Sequence, residues 1–126
     1  MLLALSAEWE TEVERGPDWL FVKLRGPADG DSQGTPIADN VWSLLQNHLM
    51  RRVVLELNDV PVLRSDLIGQ LVRLNKQVQE QGGVLRLSGL SPRNQEVLRL
   101  SRLDDRFPQY ADREAAVMAQ QTVKPR

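Results

Sequence analysis

One stretch constrains the fold more than any other: Val53-Val54-Leu55-Glu56-Leu57-Asn58-Asp59-Val60-Pro61-Val62-Leu63-Arg64-Ser65-Asp66-Leu67-Ile68-Gly69. A run of buried-strand character passes through a short proline-bearing turn and becomes an amphipathic helix. A strand feeding directly into a helix calls for a layered α/β arrangement, because each element needs the other to cover its apolar side. The turn also puts one hydroxyl, Ser65, where the helix begins. Unpaired main-chain N–H groups at a helix start favour an anion. Ser65 is therefore placed either to cap the helix or to carry a phosphate.

The flanking sequence extends this unit in both directions. Trp9 to Glu14 alternates, with Trp9, Thr11 and Val13 against Glu10, Glu12 and Glu14, which describes a half-buried strand. After the Gly16-Pro17-Asp18 turn, Trp19 to Arg25 alternates again, so the two strands form an antiparallel hairpin. Gly26 to Pro36 reads as a loop, and Thr35 to Asn47 as a first helix carrying Ile37, Val41, Leu44 and Leu45. Val53 to Leu57 is the third strand. The helix from Ser65 to Gln81 bears the stripe Leu67, Ile68, Leu71, Leu74 and Val78 and stops at Gly82-Gly83. Val84 to Ser88 is the fourth strand, Ser91-Pro92 opens another helix, and a last helix is expected from about Asp112 to Val123.

Strands separated by helices must pair in parallel. The expected fold is thus α/β: a four-stranded mixed sheet, N-terminal hairpin plus parallel strands, with about four helices packed mainly on one face. Glu10, Glu12, Lys23, Arg25, Glu56 and Arg86 all fall on the other face. A sheet covered on both sides would instead read as continuous apolar runs. That polar face is expected to lie open to water, with Trp19 and Phe21 exposed on it as a contact surface.

Composition removes several function classes. A chain of 126 residues is expected to form one domain. Its 16 basic and 17 acidic residues nearly cancel, leaving no global field for nucleic acid or an anionic membrane. There is no cysteine, so disulfides, thiolate metal sites and thiol nucleophiles are excluded together. The lone His48 reads as a helix-end residue, and Asp104-Asp105 as a solvated loop rather than a metal site. Arg99, Arg102 and Arg106 are spaced for a salt-bridged helical face. The apolar Met1-Leu2-Leu3-Ala4-Leu5 is too short to span a bilayer and lacks a basic flank, so a cytoplasmic location is expected. No glycine-rich phosphate loop follows any strand, and no nucleophile, base and oxyanion site assembles, so no enzyme, cofactor or metal is expected.

From Trp19 to Val117 the chain resembles the STAS domain, the family of sulphate transporter and anti-sigma factor antagonist domains. The similar pieces are Val53-Val54-Leu55-Glu56-Leu57 with Val60-Pro61-Val62-Leu63, Gly69-Gln70-Leu71-Val72-Arg73-Leu74, and Gln81-Gly82-Gly83-Val84-Leu85-Arg86-Leu87. They continue through Ser91-Pro92, Leu98 to Leu103, Phe107, Tyr110 and Ala115-Ala116. In bacterial anti-sigma factor antagonists this region carries an Asp-Ser-Ser-Gly-Leu-Gly motif whose first serine is phosphorylated by a partner kinase. Here the run is Arg64-Ser65-Asp66-Leu67-Ile68-Gly69. Ser65 matches the phosphorylated serine and Gly69 the final glycine, while Arg64, Asp66 and Leu67 replace the aspartate, second serine and first glycine. Arg102 also stands where the family often has glycine.

The resemblance implies a non-catalytic module that binds an anti-sigma factor or serine kinase through Arg64, Ser65, Asp66, Leu67, Ile68 and Gly69, with phospho-control at Ser65. The altered motif leaves a second reading open, a non-phosphorylated STAS subunit of a membrane lipid-transport complex that meets its ATPase.

Overall fold

The computed structural model describes residues 1–119. Its strands are β1 (Leu2–Ala4), β2 (Glu10–Arg15), β3 (Leu20–Arg25), β4 (Arg52–Asp59), β5 (Val84–Ser88) and β6 (Gln109–Tyr110). Its helices are α1 (Ile37–Asn47), α2 (Ser65–Glu80), α3 (Pro92–Leu100) and α4 (Arg113–Val117). The strands lie side by side in chain order in one sheet. β1, β2 and β3 pair antiparallel, and β3 through β6 pair parallel.

The mixed α/β sheet is the expected one, with six strands in place of four. β1 and β6 are three and two residues long. Neither is long enough to display the period-two pattern by which a strand is recognised. Their pairing partners define them instead. The expected last helix stops at Val117, with Met118 as its C-cap and Ala119 at φ 57°. The remainder of that expectation lies outside the described residues.

Register explains the core. Val13, Val22, Leu55 and Leu87 sit opposite one another across β2, β3, β4 and β5. All four are buried, and they form a ridge on the face covered by α1, α2 and α3. From α2, Leu67, Leu71, Leu74 and Val78 pack into this layer, while Ile68 lies at its margin. The close approach of α2 to the sheet depends on Gly83, where a Cβ would lie 2.1 Å from the Arg51 carbonyl oxygen.

The other face carries the polar row expected of it, but it is not uniformly open. Glu12, Lys23, Glu56 and Ser88 are in register across β2 to β5. α4 lies over the parallel end of this face and closes a second small core of Trp19, Val54, Tyr110 and Ala116. Trp19 is therefore buried and Phe21 half-buried, which corrects their assignment as an exposed contact surface. The sequence foresees a helix starting near Asp112, but a helix as short as α4 shows too little of the 3.6-residue period to mark which face it buries, so its cover of this side of the sheet is not legible. Glu56 is likewise buried, held bidentately by Arg113 at 2.7 and 3.1 Å.

The arginine series is also corrected. α3 ends at Leu100, Arg99 pairs with Glu96, and Arg102 turns out of the helix at φ 59° while Leu103 N–H donates to the Leu98 carbonyl. Arg102 thus sits in a left-handed C-terminal cap that favours glycine. We expect Arg102→Gly to stabilise the fold by about 0.5–1 kcal/mol, relief of roughly 1–2 kcal/mol of left-handed strain being offset in part by unfolded-state entropy. Chemical denaturation measures this directly, and an unchanged midpoint would mean that the Arg102 side chain compensates the strain.

Candidate functional site

The candidate site is the turn from β4 into α2. Arg64 has extended backbone and is the N-cap of α2, so Ser65 is the first helical residue rather than the cap. No side chain caps this helix. The expectation that Ser65 serves as a cap is corrected: its side chain is exposed beside uncapped first-turn N–H groups. Asp66 engages its own amide in this turn, and the remaining first-turn N–H groups leave the helix end favourable to an anion.

The residues around Ser65 divide sharply. Arg64 and Gly69 are exposed, and Asp66 and Ile68 are half-buried. Leu67 is fully buried in the core and offers no surface to a partner, which corrects its assignment to the binding face. A Cβ at Gly69 would meet nothing within 4 Å, so this glycine keeps the helix surface open rather than making room for a neighbouring element.

Asp66 is a structural tether. Its carboxylate accepts the Ser32 hydroxyl at 2.7 Å and the Ser32 amide at 2.9 Å, with Arg64 at 3.8 Å. Burial alone would raise this carboxyl. The two Ser32 hydrogen bonds, its own backbone amide and the Arg64 guanidinium outweigh that and hold it below the usual carboxylate range. Through Ser32 the 26–36 loop is fastened to the start of α2. The same loop touches the turn at Gly30, and Trp9 Nε1–H donates to the Asp31 carbonyl at 2.6 Å.

Two further residues organise the turn and are not apparent from sequence patterns. Asn94 of α3, 1% exposed, accepts the Leu63 amide at 3.0 Å and donates to the Val60 carbonyl at 3.0 Å. It bridges both ends of the turn from beneath. Gln70 of α2 accepts the Ala38 amide at 2.9 Å and donates to the Thr35 carbonyl at 3.0 Å, which caps α1 from a neighbouring helix. The available signal for Asn94 is its place three residues after the Ser91 cap, in a first turn whose other side is core. We expect Asn94→Ala to cost about 2–3 kcal/mol, because buried backbone groups lose their partners. Hydrogen exchange should accelerate at Leu63 first; unchanged exchange there would show that water replaces the side chain.

The turn offers a hydroxyl, adjacent cationic and anionic groups, and free helix N–H groups, on a frame fixed from two sides. Nothing in it pairs Ser65 with a base. His48, the one histidine, is the C-cap of α1.

The STAS domain family model matches residues 9–116, and the chain belongs to that family. Solved structures are similar in fold. An anti-sigma factor antagonist from Mycobacterium paratuberculosis superposes with a TM-score of 0.73 at 19% identity, covering 88% of this chain and 92% of that one. An anti-sigma-factor antagonist (STAS) domain protein from Planctomyces limnophilus gives 0.70 at 26% identity, covering 86% and 96%. The Bacillus cell fate determinant SpoIIAA in its phosphorylated form gives 0.63 at 15% identity, covering 86% and 97%. No curated protein matches the sequence. Among the described residues no helix is long and apolar enough to cross a membrane.

Proposed function

We propose that this chain is a non-catalytic regulatory module of the anti-sigma factor antagonist type, which binds an anti-sigma factor or serine kinase through the turn preceding α2. Ser65 is the control hydroxyl. The observation that carries this reading is the exposed Ser65 on the first turn of an uncapped helix, within a turn pinned by Asn94 and by the Ser32–Asp66 contact. Family membership and the anti-sigma factor antagonists among its structural relatives support it.

Phosphate on Ser65 would meet the helix N–H groups and Arg64 favourably and Asp66 unfavourably. In the complex that added charge must be desolvated, which weakens binding. One observation favours the second reading, a non-phosphorylated subunit of a lipid-transport complex: Asp66 sets a fixed carboxylate in the turn that a phosphate would occupy.

Recovery of the natural partner from the source cell, followed by titration, tests the proposal. Ser65→Glu is expected to weaken partner binding about tenfold or more, equivalent to at least ~1.4 kcal/mol. Ser65→Ala should bind as wild type and change stability by less than about 0.5 kcal/mol, since its hydroxyl makes no cap. Equal affinity for all three proteins would remove Ser65 from the interface. Recovery of a transport ATPase in place of a kinase would establish the second reading.

A further inference from the structure

A cleft of about 500 Å³ opens between the C-terminal half of α2 and the segment that follows α3. It lies at the far side of the helix start that carries Ser65, and the proposed partner surface makes no use of it. Asn75 lines this cleft and is 7% exposed, yet its side-chain amide has no hydrogen-bond partner among the described residues. A largely buried amide whose polar atoms open only onto a cleft presents its donor and acceptor to whatever fills that cleft. The same position with an aliphatic residue would extend the apolar stripe of α2. The amide nevertheless retains contact with the cleft, since neither of its polar atoms is among the fully enclosed unpaired ones, which are Thr11 Oγ1 and Ser88 Oγ.

The remaining lining gives the ligand class. Lys76 and Arg106 stand exposed at the cleft and make no ion pair among the described residues. They supply only donors and positive charge, which suits a phosphate. Asp105 supplies only acceptors, while Gln79 and Asn75 supply both, which suits hydroxyl groups that donate and accept. Val72 is the half-buried apolar residue of the lining, and Phe107 beside it belongs to the core. The volume lies within the range of small-molecule sites, about 300–1,000 Å³. We propose that this cleft binds a small phosphorylated polyol, with the phosphate on Lys76 and Arg106 and the hydroxyls on Asn75, Gln79 and Asp105. The site makes the module responsive to a metabolite as well as to a protein.

Glucose 6-phosphate serves as the probe, with glucose and inorganic phosphate as the two half-ligands. Titration into the ¹⁵N-labelled full chain is expected to give saturable shifts at Val72, the Asn75 side-chain amide, Gln79 and residues 105–107. Each half-ligand should bind about tenfold more weakly or worse. Arg106→Gln and Asn75→Ala should each weaken the sugar phosphate about tenfold. Asn75→Leu should abolish binding while raising the denaturation midpoint, because the unpartnered amide is removed. Three results would overturn the proposal: no saturable shifts in the cleft, inorganic phosphate binding as tightly as the sugar phosphate, or a lowered midpoint for Asn75→Leu. The first denies a site, the second reduces it to surface charge, and the third makes Asn75 a structural residue. Failure of Asn75→Leu to fold counts as the third result, and the titrations with Arg106→Gln and Asn75→Ala test the binding independently of it.

Discussion

Replacing Arg113 with alanine is expected to destabilise the protein by about 3 kcal/mol, at the lower end of the roughly 3–5 kcal/mol lost when one partner of a buried ion pair is removed. The side chain holds Glu56 bidentately, reaches Glu14 at 3.0 Å and lies 4.4 Å from the centre of the Phe21 ring. The hydrogen bond to Glu56 is the main reason that its guanidinium is held even more firmly protonated than usual. Glu56 keeps 9% of its side-chain surface and Arg113 27%. Without the arginine the Glu56 carboxylate, in the middle of the sheet beneath α4, loses its ion-pair partner and keeps only Lys23, opposite it on β3, as a positive charge in register. Some water reaches Arg113, which is why the lower end of the range applies. The double variant Glu56→Leu with Arg113→Met should recover most of the loss, since no charge is then stranded. Urea denaturation of the single and double variants measures both. A loss below about 1 kcal/mol for Arg113→Ala would class this pair with ordinary surface ion pairs.

That ion pair shows where the sequence is legible and where it is not. Alternation with Val53, Leu55 and Leu57 puts Glu56 on the polar face, and the strand register agrees. Its burial is not encoded in β4. It comes from α4, a five-residue helix more than fifty residues downstream. The long amphipathic α2 and the alternating β2, β3, β4 and β5 announce themselves because each presents its own period over several residues. β1 and β6 are too short for that and exist through their neighbours, while α4 is foreseen as a helix but not as the cover of the polar face. The site divides in the same way. Ser65 is visible as a hydroxyl between a strand and a helix, but its exposure follows from Arg64, not Ser65, being the cap. Asn94, Gln70 and the Ser32–Asp66 contact join positions 31 to 35 residues apart. Hydrogen bonds of that span leave no local pattern.

The loop contact yields the second large effect. Gly30→Ala is expected to destabilise by about 2–5 kcal/mol, the sum of roughly 1–2 kcal/mol of left-handed strain and 1–3 kcal/mol of overpacking. Gly30 has φ +70°, and a Cβ there would lie 2.1 Å from the Val62 carbonyl oxygen in the turn before α2. Backbone cannot rotate aside as a side chain can, so the loop must lift. Gly34 in the same loop has φ +79° and nothing within 4 Å of its missing Cβ. Gly34→Ala therefore pays the strain alone, about 1–2 kcal/mol, and the difference between the two variants isolates the contact. Lifting the loop also draws Ser32 away from Asp66. The hydrogen bonds that depress the Asp66 carboxyl are then lost, and its pKa should rise toward the ordinary carboxylate value. In the wild type this depressed pKa contributes stability above the carboxylate range that disappears as pH falls through it. Gly30→Ala should show a smaller loss on acidification for that reason. NMR titration of Asp66 with urea denaturation at neutral and acid pH reads all three quantities. Equal destabilisation by Gly30→Ala and Gly34→Ala, with an unmoved Asp66, would mean that the 26–36 loop does not hold the Ser65 turn in place.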